Sequence, residues 1–79
     1  MSTIHLRNIS LKEHRQFLKK FGCKCNRTKG GHEHWSHKNC DRTLTLQSHI
    51  SPVPEFIIKQ HIRYLGIDRK EYLRILFDL

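Results

Sequence analysis

Cys23-Lys24-Cys25-Asn26-Arg27-Thr28-Lys29-Gly30-Gly31-His32-Glu33-His34-Trp35-Ser36-His37 is the stretch that decides the architecture of this 79-residue chain. Two strand-like runs, Cys23–Thr28 and His32–His37, flank the turn Lys29-Gly30-Gly31. Adjacent glycines lack Cβ atoms, so the backbone can reverse tightly there and approach a ligand closely. Within the second run, His32 and His34 project from one face, and Glu33, Trp35 and His37 from the other. If Trp35 points inward, the two histidines reach solvent together.

Working outward, Lys38-Asn39-Cys40-Asp41 reads as a second turn. It leads into Arg42-Thr43-Leu44-Thr45-Leu46, whose alternation of polar and apolar residues marks a half-buried strand. Before the strands, Ser10-Leu11-Lys12-Glu13 is a capping box that opens a helix over 11–21, with Gly22 as its left-handed stop. Leu11, Phe17, Leu18 and Phe21 form its apolar stripe, and Lys12, Arg15 and Lys19 a cationic face. After a loop over 47–53, Pro54 fits the first position of a helix that buries Ile58, Ile62 and Leu65 and ends at Gly66. Asp68-Arg69-Lys70-Glu71 repeats the capping pattern and starts a short last helix bearing Tyr72, Leu73, Leu76 and Phe77.

The order is therefore α-β-β-β-α with a short extra C-terminal helix, an α+β fold with helices on one face of a three-stranded antiparallel sheet. Residues 1–9 read as an irregular arm whose Ile4, Leu6 and Ile9 can touch the body, and residues 10–79 as one domain. A chain this short supports one small core and leaves little room for a cofactor cavity. With no apolar leader at the start and no run long enough to span a bilayer, the reading is cytoplasmic, without a membrane partner. Three cysteines, Cys23, Cys25 and Cys40, are an odd count that argues against a disulfide framework.

The formal charge is +8, unevenly placed: residues 1–40 hold nine basic and two acidic side chains, residues 41–79 six and five. Such an asymmetry is the electrostatic footprint of a phosphate-rich partner. Lys24, Arg27 and Lys29 beside the glycine turn, with Lys12, Arg15 and Lys19 on the first helix, are the candidate phosphate contacts. His32 follows the turn directly, and imidazole exchanges protons near neutrality. On RNA it can take the proton of a ribose 2′-hydroxyl or give one to the leaving 5′-oxygen. His34 and the loop residue His49 are auxiliary candidates. The residues alone leave two further readings open. One is a hairpin whose histidine is simply polar, in a module that binds RNA without cutting it. The other is a small zinc domain using cysteine and histidine, against which the Cys-x-Cys spacing argues. His5, His14 and His61 suggest no function.

Taken together, the Phe21-Gly22 helix end, the Lys29-Gly30-Gly31-His32 turn, Trp35, the loop histidine His49, the proline-led helix and Leu65-Gly66-Ile67 with Tyr72 resemble the HicA, or YcfA-like, toxin family. The resemblance covers about residues 10–77 and rests on the order and spacing of these pieces. It implies a fold like a double-stranded-RNA-binding domain and a metal-independent endoribonuclease acting on mRNA without a cofactor. It further implies that His32 is catalytic, that Gly30 and Gly31 serve as turn residues, and that a HicB-type antitoxin covers the site. Two positions depart from the family pattern. His34 stands where an aliphatic residue is frequent, and Cys40 where an Asp-Gly pair is.

Overall fold

The computed structural model describes residues 6–78, so Ile4 and His5 lie outside the described residues. The elements run α1 (Leu11–Phe21), β1 (Lys24–Lys29), β2 (His32–His37), β3 (Cys40–Gln47), α2 (Glu55–Leu65) and α3 (Arg69–Phe77). The strands form one antiparallel sheet in the order β1-β2-β3. This is the expected α+β arrangement with its additional C-terminal helix.

Local chemistry sets each boundary. Ser10 accepts from the Glu13 backbone N–H while the Glu13 carboxylate accepts from the Ser10 backbone N–H, so two otherwise orphaned donors at the start of α1 are satisfied. Gly22 adopts φ +99°, and the N–H of Cys23 closes on the Leu18 carbonyl at 2.8 Å. Gly66 ends α2 in the same way, with the N–H of Ile67 reaching the Ile62 carbonyl at 3.0 Å. At α3 the Asp68 side chain accepts from Glu71, but Glu71 turns away to Arg74, leaving half of the expected capping box.

The boundaries of three elements move from the sequence reading, β3 also running on to Gln47. Pro54 is the residue before α2 rather than its first helical residue: at ψ 138° it is extended, yet its carbonyl already accepts from Ile57 and Ile58. β1 lies one residue later than Cys23–Thr28, because Cys23 is taken up by the end of α1. β3 starts at Cys40, because the second turn needs only Lys38 and Asn39 and His37 pairs directly with Cys40.

The core gathers Leu6, Ile9, Phe17, Leu18, Trp35, Leu44, Leu46, Ile58, Ile62, Tyr72 and Leu76 from every element except β1. Leu6 and Ile9 are buried, and Ile9 receives the Val53 N–H at 2.8 Å, so this segment is docked on the loop before α2. Trp35, Leu44 and Leu46 turn one face of the sheet toward the helices. Leu65 is half-buried, and Phe77 is 52% exposed.

Two histidines lie inside this core. The His14 and His61 rings are fully buried, and their hydrogen bonds fix the direction of every proton. His61 Nε2 must donate, because its partner 2.9 Å away is the Thr45 carbonyl. His61 Nδ1 therefore accepts from His14 Nε2 at 2.8 Å, and His14 Nδ1 accepts from the Tyr72 hydroxyl at 2.8 Å. One row thus links α3, α1, α2 and β3, with both imidazoles neutral. Burial holds His14 down to about 3, helped by the nearby His61, and His61 down to about 4 despite its bond to Thr45. Burial also pushes the Tyr72 hydroxyl upward.

Candidate nucleic-acid interface

The hairpin between β1 and β2 has two residues, Gly30 at φ +59° and Gly31 at φ +80°, the left-handed pair that a tight hairpin demands. Lys29 consequently stands directly opposite His32. Their Cβ atoms are then about 5 Å apart, as for any directly opposed antiparallel pair.

Strict alternation along β1 would put Arg27 on the same side as Cys25, which opposes the buried Trp35. A bulge at Asn26 prevents this. The register skips one residue, and Arg27 pairs with His34 instead. Bulges re-aim side chains in this way, and they concentrate beside functional sites. The Asn26 amide donates to the Ser36 hydroxyl at 2.8 Å and ties the extra residue down. Lys24 pairs with Ser36 on the same side.

Lys24, Arg27, Lys29, His32 and His34 therefore share the sheet face turned away from the helices, with Ser36, Thr45 and Gln47 as neighbours and no carboxylate among these positions. The three cations and His32 are exposed, and His34 is half-buried. Among the described residues, Lys24, Arg27 and Lys29 make no ion pair. A cationic strip with two imidazoles is suited to a polyanion, since phosphate gains Coulomb attraction without displacing an internal partner.

His49 joins from the loop after β3. Its ring lies 3.0 Å from where a Cβ on Gly31 would sit, and the Ser48 N–H donates to the Gly31 carbonyl at 2.7 Å. The structure thus brings three of the expected residues, Gly31, His32 and His49, to one corner. Beside that corner a cleft of about 410 Å³ runs between the end of β3 and α2, with His32 on its rim.

The first-helix track is arranged differently. Lys12 and Lys19 are exposed on α1, but Arg15 is engaged by Glu33. Its Nε donates to Glu33 Oε1 at 3.2 Å, and a second guanidinium nitrogen pairs with Oε2. Glu33 also accepts from Trp35 Nε1 and the Ser48 hydroxyl, each at 3.0 Å. Burial works to raise its pKa, and the bonds from Arg15, Trp35 and Ser48 outweigh that and lower it overall. Glu33, on the Trp35 side of the strand, is a buried carboxylate, 7% exposed, which fixes α1 and the His49 loop to β2. Arg15 accordingly leaves the phosphate track for a structural role.

The three cysteines do not gather at one point, although Cys23 and Cys40 are neighbours. Cys23 is buried, Cys25 exposed and Cys40 half-exposed; burial and the neighbouring Cys40 push the Cys23 thiol up to about 11. Among the described residues, no group of three or more His, Cys, Asp or Glu is arranged to hold a metal ion, so the zinc reading has no donor set there. No helix among the described residues is long and apolar enough to cross a membrane.

His14, His61 and Glu33 escaped the sequence reading, although signals existed. His14 lies three residues from Leu11 and from Phe17, and His61 follows Ile58 by three, so both stand on apolar stripes. Glu33 shares strand parity with Trp35. No protein-family model, no curated protein and no solved structure matches this chain.

Proposed function

We propose that this chain is a HicA-like toxin: an endoribonuclease of double-stranded-RNA-binding-domain-like fold that cleaves mRNA in the cytoplasm and is silenced by a HicB-type antitoxin. The observation that carries this reading is the single exposed face holding Lys24, Arg27, Lys29, His32 and His34 around a bulge and a two-glycine turn. In the reaction, His32 takes the proton of a ribose 2′-hydroxyl. The 2′-oxygen forms a bond to the adjacent phosphorus while the bond to the 5′-oxygen breaks. That oxygen needs a proton in return, and His34 and His49 are the neighbouring imidazoles available to give it. Lys29 and Arg27 offset the charge that builds on the phosphoryl oxygens. The products are a 2′,3′-cyclic phosphate and a 5′-hydroxyl, and no step requires a metal ion.

An antitoxin acidic where it meets this face would compete with RNA for the same cations. End-labelled RNA incubated with the purified protein in the presence of a chelator tests the assignment. Wild type should give cyclic-phosphate ends, and His32→Ala should cut slower by about 100-fold or more. Equal cutting by both proteins would remove His32 from the chemistry. Binding without cutting by either would leave a non-catalytic RNA-binding module.

A further inference from the structure

The cleft beside His32 is more than a gap between elements. It is lined by Ile50, Val53, Phe56 and Ile57, together with Gln47 and Gln60. Phe56 is 69% exposed and Ile50 43%, so two large apolar side chains lie open to water at one place. A volume of about 410 Å³ falls within the range of about 300–1,000 Å³ usual for small-molecule sites. It is large enough for one nucleoside.

We propose that this cleft is a nucleobase pocket, which receives one base of a single-stranded RNA while the attached phosphate lies on His32, Lys29 and Arg27. The inference rests on the ribonuclease reading and adds the part of the substrate that the cationic face does not address. Three features favour a base over an aliphatic anchor from a partner protein. Phe56 offers an open aromatic ring, on which an unstacked base gains stacking energy whatever its sequence. Gln47 and Gln60 each present a donor and an acceptor, which match the edge of a base and have no use for a hydrocarbon. The cleft also shares His32 with the cationic strip, so a base seated in it delivers its own phosphate to that strip. A duplex cannot place a base here, so the pocket selects loops and unpaired segments.

Proton–nitrogen NMR spectra of the full chain provide the test, using the four ribonucleoside 5′-monophosphates and ribose 5-phosphate as a probe without a base. At least one nucleotide should move the signals of Ile50, Phe56, Ile57 and the Gln60 amide, whereas ribose 5-phosphate should move only those near Lys29 and His32. Phe56→Ala, at an exposed position, should keep its fold and weaken binding of a labelled single-stranded oligonucleotide about tenfold. Phe77→Ala removes an exposed aromatic that does not line the cleft and should leave binding unchanged. Nucleotides acting no differently from ribose 5-phosphate would overturn the pocket even if RNA is cut. Cleft signals that stay still with all four nucleotides, yet move when a protein partner is bound, would assign the cleft to a protein anchor and overturn it equally. Nucleotides that move the cleft signals of a protein unable to cut RNA would support the pocket and sink the ribonuclease reading alone.

Discussion

Gly30 and Gly31 share a positive φ but not a neighbourhood. A Cβ on Gly30 meets nothing within 4 Å, whereas one on Gly31 stands 3.0 Å from two atoms of the His49 ring. Both alanine variants carry the left-handed penalty of about 1–2 kcal/mol. Only Gly31→Ala must also push His49 aside. Thermal melts should therefore fall similarly for the two proteins, with a slightly larger drop for Gly31→Ala. RNA cleavage should be near wild type for Gly30→Ala and clearly reduced for Gly31→Ala. Equal activity of the two variants at matched stability would show that His49 contributes nothing at that corner.

Between elements, the division of labour among the cations is the sharpest result. Arg27 faces solvent on the outer side of the sheet, and Arg15 is bound to a buried carboxylate on the inner side. Arg27→Gln and Lys24→Gln should each lower the slope of log affinity against log salt by about one, as removal of one phosphate contact does, without changing stability. Arg15→Gln should leave that slope intact and cost about 1–2 kcal/mol in urea unfolding, a figure discounted because a third of the Arg15 side chain remains in water. The Ser10–Glu13 capping box, the glycine stops and the parity of β2 were legible in the chain because each depends on residues within four positions of one another. At Asp68, by contrast, only the N-cap half of the expected box forms, Arg74 taking the Glu71 carboxylate. The bulge at Asn26 was not, since asparagine has no single signature for it and pairing with β2 decides the register. The place of His14 on the apolar stripe of α1 signals its burial, but the row it forms was illegible, since its partners His61 and Tyr72 lie 47 and 58 residues away. Arg15 reads in the sequence as a candidate phosphate contact, because its partner Glu33 lies 18 residues away on another element.

For the molecule as a whole, acid is the expected weakness. His14 and His61 titrate near 3 and 4 when folded, below their ordinary value of 6.5, so the unfolded chain binds more protons between those limits. Stability from this pair is complete above about pH 6.5 and is lost as pH falls toward 4 and then 3. Glu33 is also lowered on folding and acts in the same direction once pH drops below the ordinary carboxylate range. Unfolding free energies from urea titrations should therefore be flat from pH 7 to 8 and decline steadily below 6.5, by several kcal/mol in total by pH 3. A midpoint unchanged between pH 7 and 5 would contradict the burial of both rings.

The row from Tyr72 through the two imidazoles to Thr45 has a spectroscopic corollary. Each ring passes its single hydrogen one way and ends on a peptide oxygen, so the tautomers are frozen rather than averaged. Two slowly exchanging, far-downfield ring resonances should be visible in a simple proton spectrum in water. Their joint disappearance would time the moment at which the helical layer lifts from the third strand.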